Sequence, residues 1–254
     1  MAIDSSERAK LIEDLITDFK HNCDPKTKQW FDRYLKGAIC YRGLKTPQVT
    51  KLVVAWHQRH QLDLYEPQEQ LDLCADLIAS SLAEDKFAGT IYLQKFLLRQ
   101  LDYKVLLARC HRLFERGYFF DWSTTDWFCT RILDSTVLRH GLDAANIVAE
   151  YRHSANLWQR RAAIVSFRHA SSDRQYHPLI TKIIADLLPT SERFIQTGIG
   201  WVLADLSKSY PAEAEKLFRQ HLDLLSQEVC DRHTKHLACH HELKQLKRIR
   251  AKTI

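Results

Sequence analysis

The chain is short of the residues that break helices: 7 Gly and 6 Pro among 254 residues. No alternating run is bounded by an Asn-Gly or Asp-Gly turn, so a hairpin-built β fold is not expected. No apolar stretch approaches the roughly 18 residues that a membrane-spanning helix needs. The N-terminal segment MAIDSSERAKLIEDL is charged and has no apolar core of the signal-peptide kind. A cytoplasmic protein with no membrane partner is therefore the expectation. The 7 cysteines are odd in number and form no C-x-x-C pair, which reads as reduced thiols, mostly buried as small hydrophobes. Charge of one sign is also modest. Lys plus Arg is 37 against 31 for Asp plus Glu, a net +6, which favours a polyanionic partner only weakly. A hydrophobic content of 45% excludes a disordered chain.

What remains is helical periodicity. LIEDLITDF (Leu11 to Phe19) repeats apolar residues at spacings of three and four, as do VTKLVVAWHQ, EQLDLCADLIASSLAE, KFAGTIYLQKFLLRQL and YKVLLARCHRLFERG. Cap and turn signals separate them: Asp24-Pro25, Thr46-Pro47, Glu66-Pro67, Gly141, Pro178, the run Pro189 to Glu192, and Tyr210-Pro211. The helices also resemble one another. TDWFCTRIL, RAAIVSF and TGIGWVL begin at Thr125, Arg161 and Thr197, successive offsets of 36, and DKFAGTIYL lies about 40 positions upstream of the first. A period of about 35 to 40 residues with two helices per unit matches HEAT-like repeats. Such repeats stack into a solenoid with a concave binding face. The small residues Ala162, Ala163, Gly198 and Gly200 suit closely packed inner helices. The expected fold is therefore all-α, one HEAT-like repeat domain over 1–254. About 1–30 would form an N-terminal helix or cap, and about 225–254 a C-terminal capping helix with a basic tail.

Four residues carry the most chemical information: Trp122, Asp126, Arg161 and Trp201. Trp122 and Asp126 stand four apart in DWSTTDW, so a helix puts them on one face. A carboxylate held among indoles and a guanidinium is costly to build. It suits a site that stabilises a cationic transition state beside a phosphate backbone. Other readings remain open from the residues alone. Trp122 and Trp201 fit core tryptophans, Asp126 fits a helix N-cap in STTD, and Arg161 or Arg160 fits a solvated face. Trp127, Trp158, Trp30 and Trp56 read as packing residues.

The motifs resemble those of the DNA alkylation repair family, the AlkD-type HEAT-like repeat DNA glycosylases. The likeness runs from about Tyr34 to about Leu237, through YLKGAICYRGLKTPQV, EDKFAGTIYL, DWSTTDW, LWQRRAAI and FIQTGIGW in the family's order. The resemblance implies excision of N3- and N7-alkylated purines from double-stranded DNA, without a base pocket and without a cofactor. Residue by residue, it implies that Asp126 is the catalytic carboxylate and that Trp122 and Trp201 bracket the lesion's deoxyribose. Arg161 would contact the DNA backbone. The DNA face should carry further basic residues, and Lys36, Arg42, Lys45 and Arg160 are the candidates. One departure is Thr197, where the family often has a basic residue. The alternatives are a non-catalytic HEAT-like protein that binds branched or distorted DNA, and a protein-binding scaffold. A monomer associated with the nucleoid through DNA is the simplest expectation.

The C-terminal tract holds His233, His236, His240 and His241, with Cys230 and Cys239 nearby. His236 and His240 have i, i+4 spacing, but the set matches no recognised zinc pattern. No metal is expected. A polar capping helix continuing into LKRIRAK (Leu246 to Lys252) is the simpler reading.

Overall fold

A computed structural model describes residues 4–250. It is helical almost throughout, and its only β feature among these residues is an isolated bridge between Cys40 and Leu82. The chain divides into two compact units, Met1–Ile132 and Leu133–Ile254. Residues Ala251 and Lys252 of the expected basic tail lie outside the described residues. No helix among the described residues is long and apolar enough to cross a membrane.

The first unit contains α1 (Ser5–Asn22), α2 (Pro25–Leu35), α3 (Thr46–Arg59), α4 (Pro67–Ala79), α5 (Ala83–Tyr92), α6 (Tyr103–Glu115) and α7 (Trp122–Phe128). Most begin where the sequence signals a start. Asp4, Asp24, Asp102 and Asp121 each accept backbone N–H groups of the following turn. These caps satisfy donors that the helix itself leaves orphaned. Prolines occupy the first turns of α2, α3 and α4, where no N–H is needed. Helix α3 packs on α5 and α5 on α7, while α4 packs on both α5 and α6. Alternate helices thus form rows, the arrangement of a two-helix repeat. The core includes Leu15, Phe19, Val53, Trp56, Tyr92, Phe114 and Phe128, all fully buried.

Both α5 and α7 run directly into a π-helical turn, Leu93–Leu97 and Cys129–Leu133. A π turn inserts one residue into the helical register and re-aims the side chains around it.

The second unit contains α8 (Asp134–Ala149), α9 (Leu157–Val165), α10 (His177–Leu187), α11 (Arg193–Ser209), α12 (Pro211–Gln220), α13 (Gln227–His233) and α14 (His240–Arg250). Helix α8 is kinked at Gly141, whose φ of 64° lies where glycine is favoured. Here α9 packs on α11, α11 on α13, and α13 on α14. Glycines set the closeness of the central row. A Cβ on Gly198 would lie 3.2 Å from Arg161 and 3.3 Å from Val165 of α9. One on Gly200 would lie 2.6 Å from the His233 ring and 2.9 Å from Val229 of α13. Two small residues thus seat α11 between its neighbours, one facing each.

Candidate active site

In the first unit the site is built on α7. Asp121 is the N-cap: its Oδ1 accepts from Ser123 N at 2.8 Å and Thr124 N at 3.0 Å. The helix therefore starts at Trp122, and Asp126 lies inside it, one turn on, so the N-cap reading of Asp126 does not hold. Asp126 is 9% exposed and Trp122 is half-buried. The Asp126 backbone carbonyl accepts from Thr130 Oγ1 at 2.9 Å.

Trp122 stands at the end of a row of aromatic rings. Tyr34 meets it edge-on with ring centres 5.6 Å apart, and Tyr34 in turn stacks on Trp30 at 5.0 Å. Trp30 and Tyr34 are the i, i+4 pair on α2, and both are more than half exposed. Trp30 is thus a surface aromatic rather than a packing residue, whereas Trp56 is fully buried and donates Nε1–H to Leu11 O at 2.9 Å. Tyr34 marks the start of the first landmark motif, yet sequence reasoning passed over it as a site residue. Its i+4 spacing from Trp30 was the available signal.

The segment Glu84-Asp85-Lys86 explains why the EDKFAGTIYL motif matters structurally. All three charged residues are buried at the start of α5. Glu84 accepts backbone N–H groups from Arg42 (3.0 Å), Gly43 (2.8 Å) and Leu44 (3.0 Å). Gly43 has a φ of 118° and lies against the Asp24 carbonyl with no room for a side chain. Asp85 takes both Nη atoms of Arg42 and the Ser80 hydroxyl. Lys86 donates to the carbonyls of Ile78 and Tyr118, and so ties α4 to the loop that enters α7. Burial lowers the Lys86 pKa to about 8, against the opposing pull of Asp121 and Asp85.

Three expected DNA contacts fall in this unit. Arg42 is held by Asp85 with its guanidinium near the Phe19 ring, so it braces the loop before α3. Lys36, in a left-handed conformation just after α2, is exposed. Lys45 is exposed at the N-cap of α3, where its N–H donates to Gln48 Oε1 at 2.9 Å.

In the second unit the site residues lie on α9 and α11. Asn156 caps α9 by accepting from Trp158 N and Gln159 N. Arg161, 5% exposed, donates from Nη1 to the Phe194 carbonyl and to Thr197 Oγ1, the latter at 3.2 Å. Thr197, which departs from the family's frequent basic residue, is thus a positioning partner of Arg161. Arg160 turns back on the loop before α9, donating to the carbonyls of Ser154 and Ala155 at 2.9 Å each. Trp158 packs against Phe194, ring centres 4.9 Å apart.

Trp201 is one turn beyond Thr197 on α11 and is half-buried. The Arg168 guanidinium covers its ring at 3.6 Å, and Asp205 holds Arg168 through Nε at 2.6 Å. The carboxylate fixes the cation and the cation fixes the indole, an arrangement that limits the ring's rotamers.

At the C-terminal tract, His233 packs against Gly200, and Thr234 Oγ1 lies 2.6 Å from His240 Nδ1. Burial holds both imidazoles below their usual pKa. No cluster of three or more metal-ligating side chains occurs among the described residues.

Trp122, Asp126 and Tyr34 thus belong together in the first unit, and Arg161, Thr197 and Trp201 in the second. Indole faces and a carboxylate suit a developing cation. A guanidinium suits a phosphate.

Comparison with known proteins gives one family: the profile described as DNA alkylation repair enzyme matches residues 15–237. Among solved structures, the chain is similar to a predicted DNA alkylation repair enzyme from Enterococcus faecalis. The TM-score is 0.71 at 20% identity, covering 85% of this chain and 97% of that one, a likeness of fold. No curated protein matches the sequence significantly.

Proposed function

We propose, from the premise that the chain belongs to the DNA alkylation repair enzyme family, that it is a glycosylase for cationic N3- and N7-alkylated purines in double-stranded DNA. The observation that carries this reading is Asp126, a carboxylate 9% exposed, one helical turn from Trp122 in α7.

The chemistry follows from charge. A purine alkylated at N3 or N7 already bears a positive charge, so it leaves as a neutral base and needs no general acid. Breaking the C1′–N9 bond sends the electron pair to the purine and leaves cationic character on the sugar. Asp126 stabilises that cation and takes the proton of the attacking water, whose oxygen becomes bonded to C1′. The faces of Trp122 and Trp201 add cation–π attraction to the same charge. Arg161 holds a flanking phosphate. Selectivity rests on the lability of the charged adduct, so no base-shaped pocket is required and the base need not be flipped out.

The product is an abasic site with the strand intact. A lyase step needs a nucleophilic amine. Lys86, the lysine whose pKa burial lowers to about 8, is 1% exposed and bonded to two carbonyls. The enzyme would act as a monomer on nucleoid DNA in the cytoplasm.

The test is incubation with duplexes containing 7-methylguanine and 3-methyladenine, followed by chromatography of the released bases. Release of both bases supports the proposal. Tight binding of the same duplexes with no released base supports the non-catalytic DNA binder instead. Trp201→Ala should slow excision at least tenfold while weakening undamaged-duplex binding less. Equal losses would leave Trp201 a binding residue only.

A further inference from the structure

The first unit contains a cleft of about 720 Å³ that the site described above does not use. It lies where the start of α3 meets the π turns that follow α5 and α7. Thr46, Thr50, Ile91, Lys95, Trp127 and Arg131 are among its lining residues, and no acidic residue is.

Two of these stand out. Lys95 and Arg131 are each the third residue of a π turn, Leu93–Leu97 and Cys129–Leu133, and are 36 positions apart. The same register insertion therefore brings one cation from each of two successive repeats to one cleft. Both side chains belong to exposed residues, and neither forms an ion pair with an acidic residue among the described residues. Elsewhere in this unit Arg8, Arg42, Arg59 and Arg109 are each paired with carboxylates. Arg131 is nevertheless held in place, with its guanidinium 4.8 Å from the Trp127 ring centre. A guanidinium stacked on an indole keeps its N–H edge available for a planar fork on phosphate oxygens. Neutral donors complete the lining through Thr46 and Gln94.

We propose that this cleft is a DNA-phosphate site, with Lys95 and Arg131 as its two cationic ligands. The proposal rests on the reading that the chain works on DNA and adds a second anchor to that of Arg161. Two basic residues at the same position of successive π turns present a pair of cations to one cleft, which suits a ligand whose charges recur along its backbone. Trp127 follows Asp126 directly in α7, so the anchor is built on the same helix as the catalytic carboxylate.

The test is the salt dependence of binding to an undamaged duplex, measured by fluorescence anisotropy. Each phosphate contact contributes about 0.9 to the slope of log K against log salt. Lys95→Gln and Arg131→Gln should each reduce the slope by about 1, and the double variant by about 2. Damaged and undamaged duplexes should weaken by the same factor, because a backbone contact reads no base. Arg131→Lys should retain the slope. Unchanged slopes in the double variant would overturn the proposal. So would saturable binding of a free mononucleotide that the double variant loses while its DNA slope stays at the wild-type value. The slope is read on undamaged DNA, so a wild-type protein that binds but releases no base still decides the question for the cleft.

Discussion

Glu84 is the residue whose loss should most clearly reveal how the first unit is held. Its carboxylate is fully buried and accepts three consecutive backbone N–H groups, from Arg42, Gly43 and Leu44. A hydrogen bond to a charged group contributes about 1.5–3 kcal/mol net, and a buried donor left without a partner costs about 1–3 kcal/mol. Glu84→Ala strands three such donors and opens a cavity, but it also removes the desolvation cost of a buried carboxylate. The balance is a destabilisation of about 3–5 kcal/mol. Glu84→Gln should lose less, about 1.5–3 kcal/mol. Its carbonyl oxygen can still serve Gly43 and Leu44, while its amide would confront the Arg42 N–H. Urea unfolding would measure both as shifts in midpoint at constant slope. An alanine variant within about 1 kcal/mol of wild type would refute the reasoning, as would a glutamine variant as damaging as alanine.

Two further outcomes follow from packing and burial. Gly200→Ala places a Cβ 2.6 Å from the His233 ring, which the helix propensity of alanine only partly offsets. The melting temperature should fall by several degrees in a thermal scan, and an unchanged or higher value would contradict the close approach of α11 and α13. Lys86 has a folded-state pKa of about 8, below its ordinary 10.5. Between those values the unfolded chain binds a proton that the folded chain does not. Its contribution therefore makes stability rise with pH across that window, by up to about 3 kcal/mol. The difference between wild type and Lys86→Met, followed by denaturant unfolding from pH 7 to 10.5, should show that rise. Parallel curves would refute it.

The helices were legible because their apolar positions recur at three and four and their starts carry Asp, Asn or Pro. The repeat was legible because α7, α9 and α11 share a 36-residue pitch. The π turns were not, since an inserted residue leaves the apolar pattern nearly unchanged. Arg42 reads as a candidate DNA contact, and nothing in its neighbourhood announces Asp85, 43 positions on, as its partner. Trp30 reads as a packing residue because indoles usually are, and it is more than half exposed on α2. Asp126 fits a cap in STTD, yet the helix starts four residues earlier. The cap is set by which residue adopts the extended backbone, and that is Asp121.

The most direct test of the enzyme reading is Asp126→Asn in a single-turnover assay on duplex DNA containing 7-methylguanine, scored by released base with binding measured in parallel. The substitution keeps the side chain's shape and removes its charge. Loss of cation stabilisation should slow excision by at least a hundredfold, with duplex affinity within a few-fold of wild type. Excision at the wild-type rate would contradict the assignment of Asp126 as the catalytic carboxylate.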